Sequence, residues 1–423
     1  MARPQLEGLT SLRCLAVETD TNSLLHNISS LTNLTSLSVK QLTPDEGMQE
    51  LRHLPPQLQE LTITPYLDGD DPPRINLSHV TGLTRLMASA SDDAEDSGWV
   101  VGSYAAEFGA GDDRLPPNCR HLSVKDMMSA KPLLKLQHLE RLEIHRCNLT
   151  DERVQDALQQ LSSLSTLTDI QLNIETEDVV VGVDETTADV LLGLPSLRGL
   201  QLWYSGWVAA DDYLFIDPPV LSKLFKLSAL QRLSLQKLRL LSSRLVDAIC
   251  GLRGLQSLRW DGCCVGFGNN IVNNNEFASV VGAIARLPEL RDLRLAFLPQ
   301  WDEAASAALA AATQLTGLMF LSKRNCAETA SLAGQVHKLS GLRWLWIDTP
   351  GMVRFDMDAA AASLTGLTEL CLGVCDPQLL RPKFPGAALG RIWVENIGAA
   401  DPLSRGSWEV HWWSPAEGDW KAP

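Results

Sequence analysis

Cys371 and Cys375 stand four residues apart and Cys263 is followed directly by Cys264, so each pair could offer two thiolates to a tetrahedral metal site. Neither has a second close Cys or His pair to complete four ligands, and both read as structural thiols. Gly266-Phe267-Gly268 begins like a dinucleotide-binding turn, but Ile271 stands where the third glycine is needed and no strand-to-helix frame surrounds it. No glycine-rich loop ends in Gly-Lys-Ser/Thr, and neither HExxH nor GxSxG occurs. The eight histidines are dispersed, and nothing points to a Ser-His-Asp arrangement. A noncatalytic protein is expected, with no metal and no cofactor.

Net charge and composition narrow the partners. The 423 residues carry a formal charge of -15, which opposes a nonspecific grip on nucleic acid and favours basic protein partners. Apolar residues make up 45% and charged residues 21%, the balance of an ordinary folded protein. No apolar run reaches the ~18 residues that a membrane span needs. The start MARPQLEGLTSLRCL has no apolar signal-peptide core. Nine cysteines, an odd and scattered set, suit a reducing compartment better than a disulfide framework, so a cytoplasmic location is expected.

What must position any functional side chain is a repeated phrase. LTNLTSLSV at Leu31 to Val39 recurs with variation as LTSLRCLAV, LQHLERLEI, LPSLRGLQL, LSALQRLSL, LRGLQSLRW, LPELRDLRL, LSGLRWLWI and LTGLTELCL. Leucine every third and then every second residue is a turn feeding a short strand, and its return every ~20 to 36 residues predicts a solenoid of about fifteen units between Leu9 and Val394. Side chains alternate along a strand, so in LxxLxL the last two apolar residues point into the core together and the residue between them faces solvent. That phase predicts one outward column: Ala16, Ser38, Thr62, Met87, Ser123, Glu143, Gln171, Gln201, Ser234, Arg259, Arg294, Met319, Trp346, Cys371 and Trp393. His121 and His145 fall on the same face, while Trp260 takes an inward position.

Between the strands, helical returns are predicted from Thr43 to Leu54, Asp151 to Leu161, Asp217 to Leu227, Ser243 to Leu252, Glu276 to Leu287, Asp302 to Ala312 and Ala327 to Leu339. Helices are wider than strands, so the stack should bend with its parallel sheet on the concave side. Acidic loop insertions are expected near 89-113 and 174-189, and a polar loop at 262-276. The solenoid is expected to fill residues 1-400, with 401-423 a capping strand and tail in which Trp408, Val410 and Trp412 alternate. At the other end the strand edge near Leu9 needs a cover, from a partner or from upstream sequence.

In LERLEIHRCNLTDERVQDALQQL, Leu139, Leu142 and Ile144 fill three apolar positions and Cys147 follows at a fourth, with a helix-like stretch after it. This pattern resembles the leucine-rich repeat family, LxxLxLxx followed by Asn or Cys, in its cysteine-containing and ribonuclease-inhibitor-like forms. The resemblance implies a right-handed α/β horseshoe with helices or loops on the convex face. It also implies a protein-protein interaction module, either a substrate-recognition adaptor like the F-box-type receptors of ubiquitin ligases, or a scaffold of the cytoskeleton or ciliary axoneme. The outward residues that would bind such a partner are Arg232, Arg259 and Arg294 for orientation, and Met319, Trp344, Trp346 and Trp393 as anchors.

Overall fold

A computed structural model describes residues 9–17, 28–42, 51–65, 76–88, 115–124, 127, 129–149, 151–174, 183, 185–204, 214–216, 218–240, 245–267, 270–271, 274–296, 298, 301–321, 331–348, 357–373, 391–396, 409–414 and 419–421. The chain divides into two compact units, Met1–Ala210 and Asp211–Pro423. The predicted acidic stretch 89-113, the segment from Thr43 to residue 50 and the side chain of Trp393 lie outside the described residues.

The first unit is a parallel sheet built in chain order from β1 Cys14–Val17, β2 Ser36–Leu42, β3 Glu60–Pro65, β4 Arg85–Ala88, β5 His121–Val124, β6 Arg141–Cys147, β7 Asp169–Ile174 and β8 Gly199–Tyr204. Every strand starts the same way. The second leucine of LxxL closes a short turn by donating its N–H to the carbonyl of the first, as Leu34 does to Leu31 and Leu167 to Leu164. The residues that follow donate back to the preceding unit: the Thr35 and Ser36 amides both reach the Arg13 carbonyl, at 2.8 and 3.0 Å. The threonine hydroxyl adds a third bond, from Thr35 to the Arg13 carbonyl, Thr84 to Gln59 and Thr168 to Glu140. The threonines in phrases such as LTNLT are therefore joints between units.

In the second unit the elements are β9 Leu214–Ile216, β10 Arg232–Gln236, β11 Leu238–Leu240, β12 Ser257–Asp261, β13 Cys264–Phe267, β14 Asn270–Ile271, β15 Asp292–Ala296, β16 Gly317–Leu321, β17 Trp344–Asp348, β18 Glu369–Gly373, β19 Arg391–Asn396, β20 Glu409–Ser414 and β21 Asp419–Lys421. Strands β10, β12, β15, β16, β17, β18 and β19 form a parallel sheet, after which β20 pairs antiparallel with β19 and β21 with β20. The same joints recur, from the Thr316 hydroxyl to the Arg291 carbonyl and from Thr368 to Arg343.

The strands place the predicted column in register. Ala16, Ser38, Thr62, Met87, Ser123, Glu143, Gln171 and Gln201 align across the first unit. Ser234, Arg259, Arg294, Met319, Trp346, Cys371 and Trp393 align across the second. Among the described side chains most of their flanking apolar residues are buried, as are Leu345 and Ile347 on either side of Trp346. Each such side chain contributes about 1.5–3 kcal/mol on leaving water, and a sheet sliding by one residue would expose all of them. Trp260 is buried as its phase requires, although its indole N–H has no hydrogen-bond partner.

Helical returns occupy Glu152–Gln160, Pro218–Leu224, Leu245–Cys250, Asn274–Ala285 and Glu303–Leu309. Asp151 and Asp302 cap two of them by accepting from backbone N–H groups of the first turn. Val220, Leu221, Leu224 and Leu227 form the buried side of a third return.

Three returns differ from expectation. The stretch 174-189 is not all loop: Glu185–Leu192 is a helix, because Thr187, Ala188 and Leu191 bury one side of it despite the acidic lead-in. The described residues of 262-276 are not all loop either. Cys264–Phe267 pairs parallel with β11, which pairs parallel with β9, and turns back antiparallel into Asn270–Ile271 before the helix from Asn274. Gly262, at φ 59°, and Lys237, at φ 52°, supply the left-handed turn that sends the chain from one sheet to the other. Finally, the return before β17 is helical only over residues 331–333 in its described part, and Val336–Lys338 is a 3-10 turn. Gly334 stands between the two, where glycine weakens a helix.

Candidate functional site

Two stretches of open sheet face carry distinct chemistry. In the first unit the outward residues are mostly polar. The Ser123 hydroxyl and His145 Nε2 are hydrogen-bonded at 2.6 Å, and the Arg141 guanidinium holds Glu143 at 2.6 Å. Burial holds the His145 pKa below the ordinary imidazole value, with the Glu143 carboxylate pulling the other way, so the ring is neutral at physiological pH. Arg85, Met87, His121, Ser123, Arg141 and Glu143 line a recess of about 20 Å³ beside this pair. A serine bonded to a neutral imidazole is the start of a nucleophilic pair. Ser123 is only 4% exposed, however, and the recess has room for about one water molecule. The arrangement is a packed polar network in which the serine hydroxyl is shielded from solvent.

The second unit gathers most of the residues that the sequence singled out. Arg259 is exposed and held by Asp261 at 2.9 Å; Arg294 is half-buried and held by Asp292 at 3.4 Å. Both are pairs two residues apart on one strand, so each arginine's charge is already answered from within. Arg232 stands at the first position of β10, in register with Ser257 and, through it, with Asp292. It belongs to the neighbouring column, three strands away from β16 with its Met319.

Trp344 and Trp346 leave the same side of β17, but they are placed differently. Gly317 of β16 is directly opposite Trp344. A Cβ built on Gly317 would overlap Cε2, Nε1 and Cζ2 of the indole, so the ring fills the space that a side chain at 317 would take. On the other side of that glycine, the Arg294 guanidinium sits 5.6 Å from the Trp344 ring centroid. Asp292, Arg294 and Trp344 thus form a carboxylate, a cation and an aromatic face in contact, all within three adjacent strands. Trp346 has no such cover: it is 37% exposed, with half-buried Met319 in register on one side and half-buried Cys371 on the other.

The sheet therefore brings Arg294, Met319, Trp344 and Trp346 together, with Arg259 in register beside Arg294 on β12, and leaves Arg232 further off. The backbone of Trp393 aligns with Cys371, two strands from Trp346. Two contributors escaped the sequence reading. Gly317 lacks a side chain and so announces nothing, although a glycine at an outward position opposite a tryptophan is a usable signal once the register is assumed. Glu369, in register with Trp344 on β18, is exposed and makes no ion pair among the described residues.

Two buried thiols have structural surroundings. Cys263 donates to the Leu235 and Asp261 carbonyls and accepts from the Leu238 amide, closing the turn beneath two strands. Cys119 is buried, which pushes its thiol up to about 12, far from the range of a nucleophile. Among the described residues no cluster of His, Cys, Asp or Glu is arranged to hold a metal, and no helix is long and apolar enough to cross a membrane.

Parallel strands in LxxLxL phase, threonine joints and, in two units, a buried cysteine at or just past the strand end (Cys147, Cys263) define a leucine-rich-repeat fold. No protein-family profile matches the chain, and no curated protein does. Solved structures similar to it include an internalin, InlF, from Listeria monocytogenes, at 18% identity and a TM-score of 0.39 over 90% of this chain and 87% of that one. Another is TLR13 in its complex with ssRNA13, at 16% identity and a TM-score of 0.33 over 90% of this chain and 58% of that one.

Proposed function

We propose that the protein is a noncatalytic intracellular interaction module that binds a protein partner on the open sheet face of its second unit, in the manner of a substrate-recognition adaptor. One observation carries this: Trp346 stands 37% exposed on a regular sheet whose neighbouring aromatic, Trp344, is fixed in place by Gly317 and Arg294. Exposed tryptophan beside arginine and methionine is the composition of interface centres, where a few large side chains supply most of the affinity. An aromatic held rigid before the partner arrives loses little freedom on binding.

Capture from native extract tests the proposal, with the full chain as bait beside its Trp346→Ser variant. The partner should be lost from the variant, by about 2 kcal/mol or more in affinity, while urea unfolding shifts by no more than about 0.5 kcal/mol. Ligase subunits among the captured proteins agree with the adaptor role, whereas tubulin or axonemal proteins would turn the reading toward a scaffold. Equal capture by both baits would remove the tryptophan patch from consideration.

A further inference from the structure

The set formed by Asp292, Arg294 and Trp344 has an incomplete counterpart beside it. Glu369 offers a carboxylate with no ion pair among the described residues, Trp346 offers an indole face with no cation over it among the same residues, and the two lie on adjacent strands. They stand two residues out of register, within reach of one long side chain bridging both. A guanidinium or ammonium completes such a pair: the carboxylate takes its hydrogen bonds and the indole its charge.

Resting on the interface proposed above, we infer that Trp346 and Glu369 form the receiving site for an arginine or lysine side chain of a basic protein segment, repeating within the interface the arrangement that Arg294 makes internally. Charge supports the choice of occupant. Arg259 and Arg294 are each paired with an aspartate, and the chain as a whole carries -15. Met319 supplies an apolar flank for the methylene stem of the incoming side chain.

The test uses the full chain and a fluorescein-labelled acetyl-(Gly-Arg)4-amide peptide, with the Gly-Gln and Gly-Glu versions as comparators, read by anisotropy at physiological salt. Arg391 stands in register with Glu369 on β19, so Glu369→Gln is also measured in an Arg391→Gln background. There, a loss cannot be traced to repulsion by a bared arginine. The arginine peptide should bind and the comparators should not, and Trp346→Leu and Glu369→Gln should each weaken binding by about fivefold or more. Glu303→Gln, on the helical side, should leave it unchanged. Absence of binding overturns the inference, and so does a loss in only one of the two variants. Binding that neither variant alters would place the attraction in net charge elsewhere and overturn it as well. Failure here with extract capture still lost in Trp346→Ser would leave the interface standing and reject only its basic occupant. Failure of both would remove the interface itself.

Discussion

The open face of the first unit and that of the second are laid on the same kind of strand, yet they spend their outward positions differently. Around Ser123 the outward side chains satisfy one another: serine bonds histidine, and arginine holds glutamate. Around Trp346 they leave surplus, an indole with solvent on it and a carboxylate with no ion pair among the described residues. Since both faces share a backbone, the contrast lies wholly in residues that the core does not constrain. A solenoid sets its architecture with inward leucines and is free to write anything on the other side. The glycine at 317 is the exception, an open-face residue that changes the geometry of its neighbour.

That exception offers the strongest way to break the contrast. Gly317→Val places carbon where the Trp344 indole lies, so the ring must leave, Arg294 loses its aromatic partner and the second face loses its fixed anchor. The expected cost is about 1–3 kcal/mol in urea unfolding, with partner capture falling alongside. A variant that folds and binds like the parent would show that Trp344 is not pinned.

A smaller effect is expected in the first unit. Ser123→Ala removes the hydroxyl bonded to His145 and should cost about 1 kcal/mol, without any change in capture. If capture fell, the polar face would have to be counted as part of the binding surface.

The smallest effect is on pH dependence. Burial lowers the His145 pKa, and burial with a contribution from His53 lowers that of His79. The unfolded chain therefore binds more protons than the native one as pH falls through the ordinary imidazole range, and stability declines toward acid. Melting should occur at lower temperature near pH 5.5 than near pH 7.5, and His145→Gln should remove part of the drop. Asp151, whose pKa the Arg153 side chain lowers, acts in the same sense but only in the carboxylate range, outside this window. An unchanged pH profile in His145→Gln would mean that the imidazole is as free as in the unfolded chain.

The outward column was legible in advance because two leucines at a spacing of two settle which way the residue between them points, and neighbouring units stack in the same phase. Returns were less legible because their structure depends on what the adjacent unit offers. Cys264 and Val265 extend because Arg239 and Leu240 are there to pair with them, and nothing within GCCVGFGNN states that. At the site, Trp344, Trp346 and Met319 were visible as large side chains at outward positions. The packing of Trp344 into the space over Gly317 and the register of Glu369 are relations between strands 27 and 25 residues apart in sequence, and only the register between units exposes them.

The threonine hydroxyls that bond back about 25 residues have a consequence for how such a chain could arise. Each of these threonine seams asks the same thing of the sequence, a hydroxyl on one side and, on the other, a carbonyl that already takes two backbone N–H bonds. Duplication or loss of a whole unit leaves a threonine facing an equivalent carbonyl, and the break heals. Length is then cheap to vary by mutation, and a lineage can gain or lose a stretch of writable surface without redesigning the rest.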